Sequence, residues 1–172
     1  MLRSYLSFIA IALLLGCTTK QETDFIQRNS DKVTYHKQLQ KTEKIQLYQD
    51  NVTMIMLTAT YLYTPKLENH DTRDEVFIVG LSMEGQTPGA LDSEGNSLTL
   101  NGKNPKEIKA LNLNDERLKN LSFVSPWSSY YLVTFPHEST KKLTLLFENK
   151  RYGKGKLYFA KVAKYVLSKE AF

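Results

Sequence analysis

The most regular hydrophobic pattern in this chain lies in the run from Val52 to Tyr63. Alternation with period two is typical of a β-strand, because successive side chains of a strand point to opposite faces. One face carries the apolar and aromatic residues Ile55, Leu57, Ala59, Tyr61 and Tyr63. The opposite face is apolar as well, through Met54, Met56 and Leu62. The run therefore predicts a central strand that is covered on both sides.

Further short runs of apolar, aromatic and β-branched residues predict the other strands. They are Lys44–Tyr48, Val76–Val79 with Leu81, Ser97–Leu100, Glu107–Leu111, Tyr130–Phe135, Lys142–Phe147 and a last run from Leu157 to about Val166. The run Lys142–Phe147 again alternates, and it places Leu143, Leu145 and Phe147 on one face. Each of these runs has the length of an ordinary strand.

Turn residues between the runs predict how some of the strands pair. Asn101-Gly102 favours the positive φ angles of a tight turn, so we expect Ser97–Leu100 and Glu107–Leu111 to form a hairpin. The segment from Asn149 to Gly155 predicts a second turn, between the last two strands.

Two segments are compatible with helix. Asn114 to Asn120 predicts one or two helical turns, whereas Ala160–Leu167 fits either the end of the last strand or a closing helix.

Seven or eight short strands without alternating helices predict a mainly β protein, a single antiparallel β-sandwich. Its size and strand count fit an immunoglobulin-like architecture, although the Cys-Trp-Cys signature of antibody domains is missing. A hydrophobic content of 41% exceeds that of a disordered chain, so we expect a real core. We place this domain at residues 32–172.

The first sixteen residues have a different character from the rest. A positive charge at Arg3 precedes a nearly unbroken apolar run, Tyr5–Leu15, which ends at small residues. These are the parts of a secretory signal peptide, and the run is shorter than the roughly 20 residues that a membrane span requires. Cys17, the only cysteine in the protein, follows directly. An exported protein with a single cysteine contains no internal disulfide, so the thiol needs another explanation.

The residues Leu14-Leu15-Gly16-Cys17 resemble the lipobox of bacterial lipoproteins. The resemblance implies cleavage before Cys17, a diacylglyceryl thioether on its sulfur and an acyl chain on the new amino group. It also implies the cell envelope as the location, and Thr18 after the cysteine points to the periplasmic side of the outer membrane. Residues 17–31 are then the lipidated cysteine and a polar, flexible tether with a reach of about 20 Å.

Positive charge is concentrated near the end of the chain. Of 23 basic residues only Arg3 precedes Cys17, so 22 basic and 18 acidic residues remain and the net charge of the mature chain is +4. Such a charge is compatible with nucleic-acid binding, but a destination outside the cytoplasm argues against it. Four cations lie in and beside the predicted turn, at Lys150, Arg151, Lys154 and Lys156. They form either a solvated edge that prevents strand pairing or a basic face for anionic lipid or an acidic partner.

The segment Ser125–Tyr131 contains the only tryptophan, Trp127, together with Tyr130 and Tyr131. The simplest interpretation is a core anchor over one end of the sandwich, because aromatic side chains dominate core energetics. The alternative is an exposed aromatic platform for a partner, since Trp and Tyr are enriched at binding hot spots.

Catalytic and metal-binding patterns are weak. The three histidines, His36, His70 and His137, are far apart in the sequence. Asp92-x-Glu94-x-Asn96 imitates the start of a calcium loop, but Lys103 stands where a bidentate Glu is required. Motifs of serine hydrolases, zinc proteases and phosphate loops are missing from the sequence.

We therefore expect no catalytic residues, metal or cofactor, and a binding or scaffolding role on a membrane that the chain contacts through lipidated Cys17. An envelope protein or an anionic surface is the expected partner. The alternative is a small envelope enzyme of the hydrolase type, with a site built from loops at one end of the sandwich.

Overall fold

A computed structural model describes residues 41–64, 71–85, 91, 95–121 and 123–161. These ranges contain eight β-strands and one short 3₁₀ helix. The strands are β1 (Thr42–Gln49), β2 (Val52–Tyr61), β3 (Glu75–Met83), β4 (Asn96–Leu100), β5 (Glu107–Leu111), β6 (Ser129–Phe135), β7 (Lys142–Asn149) and β8 (Gly153–Ala160), and the 3₁₀ helix is Glu116–Leu118.

The strands form two antiparallel sheets, which confirms the predicted mainly β sandwich. One sheet has the order β1-β2-β3-β6-β5 and the other the order β4-β7-β8. In immunoglobulin constant domains the corresponding orders are 1-2-5-4 and 3-6-7. The likeness to immunoglobulins is thus one of layered architecture, and the strand order is different.

The inner faces of the two sheets build the main core, as the alternation predicts. On β2 the side chains of Ile55, Leu57, Ala59 and Tyr61 are buried. On β7 the buried residues are Leu143, Leu145 and Phe147. Phe77, Phe135 and Phe159 add aromatic contacts, with ring centroids 5.1 to 5.8 Å apart in edge-to-face geometry. Each fully buried side chain of this size contributes about 1.5–3 kcal/mol to folding.

A smaller cluster covers part of the outer face of the five-stranded sheet. It consists of Ile78, Tyr130 and Leu118, the last on the 3₁₀ helix, and Leu62 packs against it. Asp115 directly precedes this helix, and its carboxylate caps it by accepting from the Arg117 backbone N–H. The predicted helical turn therefore exists, and its function in the fold is to cover this face.

One predicted pairing is wrong. Ser97–Leu100 and Glu107–Leu111 are both strand segments, but β4 pairs with β7 and β5 pairs with β6 in the other sheet. The Asn101-Gly102 turn forms with positive φ angles of 47° and 82°, and Leu100 bridges Lys103. The chain then leaves the sheet through Pro105, which has no N–H to extend the ladder.

The strand registers define two ends of the sandwich. At the first, which we call the Glu75 end, β1 and β3 begin while β2, β6 and β8 end. At the opposite end, the Trp127 end, lie the β1–β2 turn, the β7–β8 turn and the loop before β6. Nine residues of β3 separate the ends by about 27 Å. The chain enters at Lys41 and leaves at Lys161, both at the Glu75 end. The ambiguity over Ala160–Leu167 lies mostly outside the described residues, since β8 ends at Ala160.

The Gly80→Ala variant should lower the free energy of unfolding by about 1–3 kcal/mol, because neighbouring side chains already occupy the space that the added methyl group needs. An added Cβ would lie 2.7 Å from Tyr130 Cε1 and 2.8 Å from Thr58 Oγ1. Urea denaturation measures the change, with exposed Ser97→Ala as a control expected within about 0.5 kcal/mol of the wild type. Equal stability of the Gly80 variant would mean that Tyr130 does not pack on β3.

Candidate functional site

Cys17 and the predicted tether lie outside the described residues, as do His36, His70, Asp92 and Glu94. Within the part of the chain that the structure describes, no helix has the length and hydrophobicity of a membrane span.

Trp127 is exposed, contrary to the expectation of a core anchor. Its relative accessibility is 80%, the highest among the exposed large hydrophobic residues of the described ranges. Tyr130 and Tyr131 are buried, at 4% and 6%, so they cannot form an exposed platform with Trp127. The reason is that neighbouring residues of β6 point to opposite faces, and both faces are covered here: Tyr130 belongs to the outer cluster and Tyr131 to the main core.

The hydroxyl of Tyr130 forms hydrogen bonds to the backbone of the loop before β6. This hydroxyl accepts from the Ser125 N–H at 2.6 Å and donates to the Phe123 carbonyl at 3.2 Å. The Ser125 hydroxyl in turn accepts from the Trp127 N–H at 3.2 Å. Phe123 adopts a φ of +66°, which is rare for a bulky residue and costs on the order of 1–3 kcal/mol. The hydrogen bonds thus fix a conformation in which Phe123 is 57% exposed.

The loop exposes three apolar side chains, Phe123, Val124 and Trp127, and the exposed Leu113 lines a groove together with Val124. We call these four residues the apolar patch. The groove has a volume of about 560 Å³, and its lining is Leu113, Asn114, Leu118, Lys119, Leu121 and Val124.

The charges next to the apolar patch pair with one another. Arg117 contacts Asp115 at 2.6 Å and holds the pKa of that carboxyl down, to about 2. Lys119 pairs with Glu116. The formal charge of this segment is therefore zero.

The four predicted cations Lys150, Arg151, Lys154 and Lys156 are all exposed. The β7–β8 turn that carries two of them is well defined, because Asn149 Oδ1 accepts from the N–H groups of both Arg151 and Tyr152 at 2.9 Å. The Arg151 guanidinium lies 5.1 Å from the ring centroid of Tyr152. We call this turn, together with Lys150, Arg151, Lys154 and Lys156, the basic hairpin.

A shallow groove runs from the turn to the start of β4. Its volume is about 490 Å³, and its lining is Gly95, Asn96, Ser97, Glu148, Asn149, Lys150, Gly153 and Lys154. A depression of about 320 Å³ adjoins it and adds Arg151. Asn149 Nδ2 donates to Asn96 Oδ1 at 2.7 Å, which ties the two walls together. Lys154 is 3.8 Å from Glu148, so the groove retains an excess of positive charge from Lys150 and Arg151.

The Glu75 end contains a buried ionic cluster that the sequence patterns do not predict. Glu75 is 1% exposed, and its carboxylate accepts from the Tyr61 hydroxyl and the Glu138 N–H and pairs with the Lys161 ammonium. The Nδ1 atom of His137 lies 3.6 Å from Glu75 Oε1 and 2.9 Å from the Arg73 carbonyl oxygen. These residues lie up to 100 positions apart in the chain, from Tyr61 to Lys161, so no local motif could indicate the cluster.

Electrostatics in the cluster follow from burial and pairing. Burial, together with the bond to Glu75, raises the pKa of the Tyr61 hydroxyl. Glu138 is 5% exposed, and the Lys103 ammonium at 2.7 Å lowers the pKa of its carboxyl. Asn101 Nδ2 donates to the same carboxylate at 3.2 Å. Lys103 stands at the twelfth position of the calcium-like pattern. Its ammonium pairs with the carboxylate of Glu138, a residue that follows β6.

The geometry of this cluster suits a structural role. A general base or nucleophile must reach a substrate, whereas the Glu75 carboxylate is enclosed and bonded to three groups. Among the described ranges, no group of three or more His, Cys, Asp or Glu side chains is arranged to hold a metal ion. Among the described residues, the basic hairpin and the apolar patch are exposed and chemically distinctive.

Comparisons with family models, curated proteins and solved structures found no match for this chain.

Proposed function

We propose that this chain is a lipid-anchored binding module of the bacterial cell envelope, without catalytic activity. Cys17 carries the anchor, on the periplasmic side of the outer membrane, and the basic hairpin binds an anionic partner. The lipobox-like residues 14–17 support the anchor. The observation that carries the binding role is the groove at the β7–β8 turn, where Lys150, Arg151 and Lys154 converge.

The groove suits a small anionic group such as a phosphate-bearing headgroup. Its volume lies within the range of ordinary ligand sites, and amide side chains stand beside the cations. Each exposed lysine or arginine close to an anionic surface adds about 1 kcal/mol, and salt screens this attraction beyond roughly 8 Å. The binding is therefore expected at low salt and is lost at high salt.

Charge reversal of the hairpin tests the proposal. The mature chain, residues 17–172 with Cys17→Ser to keep it free of lipid, is mixed with vesicles of phosphatidylcholine and phosphatidylglycerol. The wild-type hairpin should co-sediment with them at low salt. The quadruple variant Lys150→Glu, Arg151→Glu, Lys154→Glu and Lys156→Glu should bind at least about tenfold more weakly, since four contacts of this strength are lost.

A second quadruple variant distinguishes the effect of the groove cations from the effect of the net charge of the protein. Reversal of Lys44, Lys109, Lys141 and Lys142, all exposed and outside the groove, changes the net charge equally and should leave most binding intact. Equal losses in both variants would show that only net charge matters. The proposal would be contradicted if the wild-type chain bound neither these vesicles nor acidic proteins of an envelope extract at low salt.

A further inference from the structure

The apolar patch has no role in anion binding, and its side chains are of the type found where proteins meet a lipid interface. Trp and Phe are amphipathic or apolar rings that favour the boundary between headgroups and acyl chains. Here Trp127 is 80% and Phe123 57% exposed, and the exposed Leu113 and Val124 line the adjoining groove. Several large apolar side chains exposed in one short loop and beside it are typical of an interaction site.

The backbone beneath the patch is arranged to keep these rings outward. Phe123 remains in the left-handed region although most side chains avoid it, and the Tyr130 hydroxyl bonds both Phe123 and Ser125. The Ser128 N–H also donates to the Ser125 carbonyl, at 3.2 Å. Polar groups of the loop that are bonded internally lose less when the loop leaves water for an interface.

Two observations favour a lipid interface as the partner of the apolar patch. The charges beside the patch cancel in the pairs Asp115–Arg117 and Glu116–Lys119, so no charged partner is favoured there. The chain enters the sandwich at Lys41, about 27 Å from the Trp127 end. The 24 Cα–Cα steps from Cys17 to Lys41 can span up to about 80 Å, so an anchor at Cys17 allows the Trp127 end to reach the same bilayer.

We propose that the apolar patch inserts into the lipid interface, so that Phe123 and Trp127 enter the boundary between headgroups and acyl chains and the sandwich stands on its Trp127 end. The adjoining leucine-lined groove of about 560 Å³ then faces acyl chains. This inference rests on the proposed function only in placing the domain beside a membrane. It does not require the anionic site, because apolar insertion needs no charge on the lipid.

Trp127 provides the measurement, since it is the only tryptophan. Lipid-free residues 17–172 with Cys17→Ser are titrated with vesicles of phosphatidylcholine alone, at low and at high salt. The fluorescence maximum should move to shorter wavelength at both salt concentrations, and lipids brominated on their acyl chains should quench the emission. The quadruple charge reversal of the hairpin should leave this signal unchanged.

The variant Phe123→Asn removes the ring but keeps a residue that tolerates positive φ. It should weaken partitioning about tenfold, as expected for the loss of one inserted aromatic side chain. Tyr158→Asn is the matched control, because Tyr158 is 64% exposed on the other sheet and should not alter partitioning.

Several results would overturn the inference. No shift with phosphatidylcholine, or a shift only with anionic lipid at low salt, removes the insertion while leaving the anionic site intact. A shift without lipid that grows with protein concentration identifies a second copy as the occupant. The chain can also be truncated after Lys161. If acrylamide then quenches Trp127 more strongly than in the longer chain, the C-terminal segment of the same chain is the occupant of the apolar patch.

Discussion

Cells that express the Cys17→Ser variant are expected to incorporate no radioactive fatty acid into this chain, whereas the wild-type chain becomes labelled. The thioether to diacylglycerol needs a sulfur atom, and Cys17 is the only cysteine in the sequence. Serine preserves the size and polarity of the position but cannot form the thioether. The expected effect is therefore complete loss of the label.

The same variant should also leave the membrane fraction. Each buried CH₂ group of an acyl chain contributes about 0.8 kcal/mol, so two or more chains hold a protein stably and their loss releases it. Thr18→Ala, next to the cysteine, is the matched control and should retain the label. Undiminished label on the Cys17 variant would contradict the lipoprotein assignment and with it the expected location in the envelope.

The second large effect concerns Glu75. Glu75→Gln should lower the free energy of unfolding by about 3–5 kcal/mol, because the Lys161 ammonium, whose side chain is 10% exposed, loses its carboxylate and keeps only the Glu138 carbonyl oxygen as acceptor. The Tyr61 hydroxyl and the Glu138 N–H also lose a charged acceptor. Since small domains are stable by only about 5–15 kcal/mol, the variant should unfold at much lower urea concentration.

A second substitution distinguishes the ion pair from packing. In the double variant Glu75→Gln with Lys161→Met, no buried charge is left over from this pair, so part of the lost stability should return. Glu84→Gln, at an exposed carboxylate after β3, should change the stability by less than about 0.5 kcal/mol. A Glu75→Gln protein within about 1 kcal/mol of the wild type would show that the cluster does not hold the Glu75 end together.

The strands could be predicted from the sequence because their signal is local. Alternation along β2 and β7 depends on neighbours two positions apart, and it correctly assigns Leu57, Leu145 and Phe147 to the core. The partner of a strand is not local information. Leu98 pairs with Phe147, 49 positions later, and the strong Asn101-Gly102 turn could not indicate that β5 joins the other sheet.

The candidate sites show the same division. The cations of the basic hairpin were predictable, because a Gly-containing turn between two strands places its side chains in solvent. The exposure of Trp127 was not, since it depends on how the Tyr130 hydroxyl bonds the backbone of Phe123 and Ser125. The ionic cluster could not be predicted either, because Tyr61, Glu75 and Lys161 meet only where β2 and β8 end beside the start of β3.

The position of Lys41 at the start of β1 has a mechanical consequence. If the chain is pulled at Lys41 while the Trp127 end is held, the load runs along the strand axis. Hydrogen bonds between antiparallel strands are perpendicular to that axis, so the ladder between Thr42–Gln49 and β2 would be sheared as a unit. A pull at right angles to the strands would instead open the same ladder one bond at a time. A sandwich with a tether at Lys41 and an attachment at its Trp127 end, as we propose, would therefore be loaded in its more resistant direction.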